Sequence, residues 1–119
     1  MKHIIFRSRS DSSDEEYLVE LQIDHSTVKL TCSCPAGSHG QLCKHRFAFA
    51  QGLDDYLLHE EERASLQEVK DIIGHSSIFE TIDQINKETA AIEQAKKRLK
   101  NLRNAAGRVM DKGFALTKT

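Results

Sequence analysis

The sequence predicts an α+β fold, in which a small antiparallel β-sheet comes first and helices follow. Three features of the 119-residue chain lead to this class. Two stretches near the N-terminus alternate between apolar and polar residues with the period of β-strands. A short apolar stretch then ends at a glycine, as helices often do. Finally, residues 77–106 carry apolar residues at helical spacing with no proline or glycine to interrupt them.

The predicted strands cover residues 3–6, 17–23 and 27–34. The first is a short apolar run, whereas the second and third alternate and are joined by an Asp-His-Ser segment typical of a hairpin turn. Side chains two residues apart on a strand point to the same face. The third strand therefore ends with Cys32 and Cys34 on one face of the predicted sheet.

Three helices are predicted after the sheet. The first follows the last cysteine and ends at Gly52, and the second covers residues 57–73. The third starts at a capping box, in which Ser77 and Glu80 satisfy each other's backbone N–H groups. No proline or glycine follows before Gly107, so this helix is expected to run for about 30 residues, or about 45 Å.

All three cysteines lie in the fourteen-residue stretch CSCPAGSHGQLCKH. The strand presents two of their sulfur atoms to one point. Residues two apart on a helix point about 200° from each other, so Cys43 must precede the helix if its sulfur is to meet the His45 ring. Four such ligands close a tetrahedral zinc site and leave no position for a substrate water. The stretch thus predicts one structural Zn²⁺ per chain, held by Cys32, Cys34, Cys43 and His45.

Other interpretations explain the cluster less well. Buried unpaired cysteines beside Pro35 and glycines would make a poor core. Cys43 could be a nucleophile beside a histidine, but no third orienting group is evident and two cysteines then have no role. His39 could substitute as a ligand. An odd number of cysteines fits a complete disulfide framework poorly and indicates an intracellular protein, either cytoplasmic or nuclear.

The run CSCPAGSHGQLCKHRFAFA, preceded by an alternating strand, resembles the SWIM-type zinc finger, whose pattern is Cys-x-Cys, a variable loop and Cys-x-His. The agreement includes Pro35 and Lys44 and extends over about residues 17–52. The resemblance implies a zinc-bound ββα module, which serves chromatin-remodelling ATPases, transposases and signalling proteins in DNA binding or protein interaction. No P-loop of such a host is present, so the chain is predicted to be an accessory protein and not an enzyme.

The predicted organisation has four parts. A SWIM-like zinc-binding module covers residues 1–52, and a connecting helix covers residues 53–75. A long helix over residues 76–112 is expected to serve as an oligomerisation or partner-binding arm. Residues 113–119 are expected to form a flexible tail.

The long helix carries apolar residues at intervals of seven, which is typical of a coiled coil. Three partners could cover this stripe: residues 57–73 of the same chain, a second copy, or a different protein. The prediction is a homo-oligomer formed through residues 77–106, together with a larger protein partner. The heptad positions are Ile78, Ile85, Ile92, Leu99 and Ala106.

Charge is unevenly distributed, although the net charge is only −1. Residues 1–92 contain 9 Lys and Arg against 16 Asp and Glu, whereas residues 93–119 contain 8 against 2. A basic segment of this kind can contact phosphate, so direct DNA binding is the alternative function. No apolar run is long enough for a membrane span, and no membrane partner is expected. The candidate nucleic-acid contacts are Lys44, Arg46, Lys96, Lys97, Arg98, Lys100 and Arg103.

Overall fold

The computed structural model describes residues 2–10 and 14–117. It confirms the predicted α+β class, with a three-stranded antiparallel sheet, short helices and a long C-terminal helix. The chain divides into two compact units, Met1–Phe79 and Glu80–Thr119. The elements, in chain order, are β1 (Lys2–Arg9), β2 (Glu16–Asp24), β3 (Thr27–Cys32), α1 (Pro35–Ser38), α2 (Lys44–Ala50), a 3-10 turn (Glu60–Glu62), α3 (Ala64–Gly74) and α4 (Phe79–Lys112).

The sheet has the strand order β1-β2-β3, and its register brings the first unit's core residues together. Phe6 on β1 lies opposite Val19 on β2, and Val19 lies opposite Cys32 on β3. All three side chains are buried. The hairpin between β2 and β3 turns at His25, whose φ of 56° lies in the left-handed region. The pairing thus aligns the last residue of β3 with the centre of the core.

Helix α2 covers the buried face of the sheet, and α3 packs against α2. The ring of Phe49 on α2 stacks on Phe6, with 4.6 Å between centroids and 14° between planes. Both side chains are fully buried. Helix α3 contributes the buried residues Leu66, Val69 and Ile73, which follow helical spacing. The predicted end of α2 at a glycine is confirmed, since Gly52 has a φ of 72° two residues after the helix.

The free edge of β1 explains why the second predicted helix is shorter than expected. Helix α3 begins at Ala64, whereas the sequence predicted a helix over residues 57–73. The N–H of Arg9 donates to the carbonyl of Tyr56, and the N–H of Leu58 donates to the carbonyl of Arg7, each at 3.2 Å. The chain here is extended along β1, because an unpaired strand edge offers backbone hydrogen bonds that a local helix would forgo.

Helix α4 is longer than the roughly 30 residues indicated by the stretch without proline or glycine. It begins at Phe79, one residue later than the capping box indicates, and continues through Gly107 to Lys112. Its 34 residues correspond to about 51 Å of helix. Of the predicted tail, residues 113–117 have no regular secondary structure, and residues 118–119 lie outside the described part of the chain.

Candidate metal centre

The end of β3 places the first pair of candidate ligands. Cys32 is the last residue of the strand, and Cys34 has extended φ and ψ values of −65° and 163°. The side chains of Cys32 and Cys34 therefore point to the same face, as in a continuous strand, although β3 itself ends at Cys32. Helix α1, a single turn, begins directly afterwards at Pro35. A Cβ on Gly37 would lie 2.4 Å from the Cys32 carbonyl oxygen, so only glycine lets this turn fold back on the strand.

The start of α2 places the second pair. Cys43 is the N-cap residue, with extended backbone angles, and His45 lies in the first turn. This is the arrangement that the Cys-x-His spacing requires, because two side chains that are two residues apart within a helix would point away from each other. A tight turn at Gly40, with a φ of 76°, separates the pair from α1.

The four candidate ligands lie together. The three sulfur atoms and one ring nitrogen of His45 are all within 4.8 Å of one another, and all four residues are buried. Tetrahedral zinc with Zn–S bonds of about 2.3 Å needs ligand atoms roughly 3.8 Å apart, so small side-chain adjustments suffice to close the site. This is also the only such group of His, Cys, Asp or Glu found within residues 2–10 and 14–117. The donor set fits one structural Zn²⁺.

Helix N-termini support negative charge on two of the sulfur atoms. The N–H of Gly37 donates to Sγ of Cys34 at 3.3 Å, and the N–H of Arg46 donates to Sγ of Cys43 at 3.2 Å. Burial raises the pKa of Cys32 to about 12. Burial also opposes ionisation of Cys34, but the Gly37 N–H and the neighbouring thiols leave its pKa below the ordinary value. Zinc, bound to thiolates, would displace the remaining protons.

Two tyrosines that are not among the predicted ligands flank the histidine ligand. The centroid of the Tyr17 ring lies 5.5 Å from that of His45, and the Tyr56 ring meets His45 at 5.0 Å and 74°. The ammonium of Lys44 lies 5.6 Å from the Tyr56 centroid, within range of a cation–π contact. The imidazole is thus held between aromatic rings. Tyr17 lies on β2 two residues before the buried Val19, so strand alternation indicates its face, whereas no local pattern indicates the position of Tyr56.

Arg46, a candidate nucleic-acid contact, is engaged within the module. Its guanidinium donates to the carbonyl of Leu30, at 3.3 Å, and to the carbonyl of Gln41. These bonds join α2 to β3 and to the loop that precedes Cys43. Arg46 therefore stabilises the backbone around the metal centre. Lys44 is the more exposed of the two cations beside this centre.

The remaining histidines among the described residues lie outside the cluster. His39, the alternative ligand, is exposed just after α1. His3 contacts Glu20, with 2.7 Å between Nδ1 and the carboxylate, and His75 contacts the backbone carbonyl of Asp71 at the end of α3. The structure therefore separates these three histidines from the cluster of candidate ligands.

The other candidate nucleic-acid contacts lie in the second unit, on α4. All of them are exposed. One forms an ion pair within its own helix, Lys96 with Glu93 at 3.3 Å. Within the described part of the chain, the others form no ion pair: Lys97, Arg98, Lys100 and Arg103.

The fold and the site together define a small zinc-binding module, in which a β-hairpin and a helix supply a buried Cys3His set. Residues 17–48 match the family model of the SWIM zinc finger. This segment, 32 of the 119 residues, is therefore a SWIM-type zinc finger, a family of non-catalytic modules. No curated protein and no solved structure matches the chain. Among the described helices, none combines the length and the hydrophobicity that a membrane crossing requires.

Proposed function

We propose that this chain is a zinc-stabilised, non-catalytic interaction protein that self-associates through α4 and serves as an accessory subunit of a larger complex. The observation that carries the proposal is the exposed apolar stripe of α4. Ile92 is 53% exposed, Leu99 47% and Leu102 67%, on a helix of 34 residues. Such a contiguous stripe on a long helix is typical of a surface that another helix covers.

The metal centre supports a structural role for zinc. All four ligands come from the protein and all four are buried. A closed site of this kind offers no coordination position to a substrate water, so the ion would contribute folding free energy. The first unit then acts as a rigid support, and binding is left to the surfaces around it and to α4.

Analytical ultracentrifugation tests self-association. The wild-type chain is expected to sediment as an oligomer at micromolar concentration. Ile92→Lys, which places a charge in the stripe, is expected to shift it to the monomer. The matched control is Gln94→Lys, an equal gain of charge two residues away on the polar side of α4. A wild-type chain that stays monomeric at high concentration would remove self-association from the proposal.

The accessory role is tested by affinity capture from the source cells. Wild type, Ile92→Lys and His45→Ala are used as three baits, and the proteins captured by each are identified by mass spectrometry. We expect the wild type to capture a larger partner protein. We expect His45→Ala to lose that partner, because this variant disrupts the zinc module. A set of captured proteins that is identical for all three baits contradicts the accessory role.

The second candidate function is direct nucleic-acid binding. The observation that favours it is the group of exposed cations on the C-terminal half of α4, which have no ion pair within the described residues. Mobility shift at increasing salt tests it, since phosphate contacts weaken steeply with ionic strength. Replacing Lys97, Arg98, Lys100 and Arg103 together by Gln is expected to abolish retardation, and replacing Lys29 and Lys70 is the control. Absence of retardation by the wild type even at low salt rejects this function.

A further inference from the structure

The apolar positions of α4 are symmetric about Ile92. Positions at equal distances before and after Ile92 carry similar residues: Thr89 and Ala95 lie three residues from it, and Ile85 and Leu99 lie seven residues from it. The same rule matches Ile82 with Leu102, but Ile82 is already buried within one chain, so the stripe that a partner could cover runs from Ile85 to Leu99. An antiparallel two-fold pair of helices aligns each position with its mirror position, so each apolar residue of the stripe from Ile85 to Leu99 would meet another apolar residue or a threonine.

We infer that α4 pairs with α4 of a second copy in the antiparallel direction, with the two-fold axis passing beside Ile92. The inference rests on the self-association proposed above and specifies its geometry. Within the apolar stripe of α4, the part from Ile85 to Leu99 is the part that a second copy would cover. Ile92 and Leu99 are half exposed, whereas Ile82 is buried.

Charge favours the antiparallel over the parallel direction. Residues 79–93 of α4 contain Glu80, Asp83, Glu88 and Glu93 against Lys87. Residues 94–112 contain seven Lys and Arg against Asp111. A parallel pair would set the basic half of one helix against the basic half of the other, at a distance where like charges repel. The antiparallel pair sets each basic half against an acidic half.

The ion pairs within α4 leave most of this charge available. Lys87 pairs with Asp83 at 3.0 Å, and Lys96 pairs with Glu93 at 3.3 Å. The side-chain amide of Gln84 donates to Glu88 at 3.0 Å, a hydrogen bond that involves no cation. The cations that follow Lys96 have no ion pair within the described residues, so an acidic half from a second copy is the complementary surface that they lack.

Side-chain volume is also distributed more evenly along the helix–helix interface in the antiparallel pair. A parallel pair in register would place Ala106 against Ala106 and Ala95 against Ala95, and two small residues leave space at each layer. The antiparallel pair places Ala95 against Thr89, a small residue against a larger one. The central layer, Ile92 against Ile92, is the same in both directions.

Salt dependence of the dimer distinguishes the two directions in the unmodified protein. Attraction between acidic and basic halves is screened by salt, so the antiparallel dimer is expected to weaken several-fold as sodium chloride is raised. Repulsion between like halves is screened equally, and a parallel dimer would strengthen instead. Sedimentation equilibrium at low and high salt shows whether the dimer dissociation constant rises or falls with salt. A dimer that tightens with salt overturns the inference.

Disulfide trapping provides the second test. Ile85→Cys and Leu99→Cys chains carrying tags of different size are mixed with zinc present and oxidised mildly. The mixed disulfide is expected, and self-linked Leu99→Cys is not, because two copies of residue 99 would lie about 21 Å apart along the axis. A disulfide allows only about 7 Å between Cα atoms. Asn101→Cys, on the polar side of α4, is the control that should not cross-link.

The outcomes separate the two proposals. Efficient self-linking of Leu99→Cys, with no mixed species, shows a parallel pair and overturns the inference but leaves self-association intact. A wild-type monomer at high concentration overturns both. Circular dichroism of each cysteine variant confirms that α4 remains helical, so a negative result cannot come from an unfolded helix.

Discussion

The Tyr56 ring meets the His45 imidazole almost at right angles, with 5.0 Å between centroids. The two residues come from parts of the chain that no local motif connects. His45 is fixed by the first turn of α2, whereas Tyr56 is fixed by a backbone hydrogen bond from Arg9 on the edge of β1. The sheet edge thus contributes to the surroundings of the metal centre.

The first prediction concerns the Tyr56 ring. Tyr56→Leu removes an edge-to-face contact worth about 0.5–1.5 kcal/mol beyond its buried area, and it leaves the His45 ring free to reorient. Groups that orient a metal ligand typically affect affinity by about 10-fold or more. We therefore expect zinc affinity to fall about tenfold, measured by competition with a chromophoric chelator.

The control for this prediction is Tyr17→Phe. It keeps the ring 5.5 Å from His45 and removes only the hydroxyl, which donates to Glu15. Its zinc affinity is expected to stay close to that of the wild type. Equal losses in the two variants would show that the rings do not orient the histidine. Because the chain has two tyrosines and no tryptophan, tyrosine fluorescence reports directly on both rings.

The second prediction concerns the metal itself. Elemental analysis of the reduced protein is expected to find one zinc per chain. His45→Ala removes a ligand, and because zinc binding is coupled to folding, the thermal midpoint of the first unit is expected to fall by about 10 °C or more. His39→Ala is the matched control, an exposed histidine six residues earlier, and should leave the midpoint unchanged.

Chelation extends the same prediction to the wild type. Removing zinc with a strong chelator is expected to abolish the cooperative transition, and adding zinc back is expected to restore it. Acid should release the metal as well, since protons compete for the thiolates and the imidazole. A chelated protein with the same midpoint as the untreated one would contradict a structural role for zinc.

The third prediction concerns the aromatic stack of the core. Phe6→Ala removes a fully buried ring that stacks on Phe49 at 4.6 Å. Such a truncation costs about 3–5 kcal/mol in the free energy of unfolding. Denaturant unfolding of the zinc-loaded protein measures it. Ile5→Ala, on the exposed face of the same strand, is the control and should cost less than about 1 kcal/mol.

The fourth prediction contrasts two glycines. Gly52 has a φ of 72°, and a Cβ there would lie 2.9 Å from the Cβ of Lys70 and 3.1 Å from the carbonyl oxygen of Leu66. Gly52→Ala is therefore expected to destabilise the first unit by more than about 1 kcal/mol. Gly107 lies inside α4, and a Cβ added there would have no neighbouring atom within 4 Å, so Gly107→Ala should raise helix stability by up to about 1 kcal/mol.

These two variants are measured by thermal unfolding followed by circular dichroism. Opposite signs are the expected result, because only one of the two positions needs a left-handed backbone. Destabilisation by Gly107→Ala would mean that the C-terminal part of α4 packs closely against something at this position.

The fifth prediction concerns pH. The Arg63 guanidinium donates to Glu60 and, at 2.6 Å, to Asp54, and these hydrogen bonds lower the pKa of both carboxyl groups. A depressed pKa in the folded state contributes stability above the ordinary carboxyl pKa of about 4, and that stability is lost as pH falls. The difference in thermal midpoint between wild type and Arg63→Gln should therefore shrink as pH is lowered through this range. Lys29→Gln should show no such trend.

Much of the site could be predicted from local pattern. Strand alternation fixed the direction of Cys32 and Cys34, and the two-residue spacing required Cys43 to precede α2 with His45 inside it. Each of these inferences depends only on the geometry of one element. For the same reason the helix ending at Gly52 and the long uninterrupted α4 were predictable, although α4 continues through Gly107, since one glycine costs a long helix only about 1 kcal/mol.

What the local pattern could not provide is the role of residues 56–63. Their composition suits a helix, yet residues 56–58 run along β1 and Glu60–Glu62 form a 3-10 turn, because the free strand edge offers hydrogen bonds that no sequence window reveals. This long-range pairing brings Tyr56 to His45 and delays the start of α3 to Ala64. The ligands of the metal centre are thus encoded in single elements, whereas the rings and backbone that surround them depend on elements distant in sequence, whose contacts form only when the sheet is assembled.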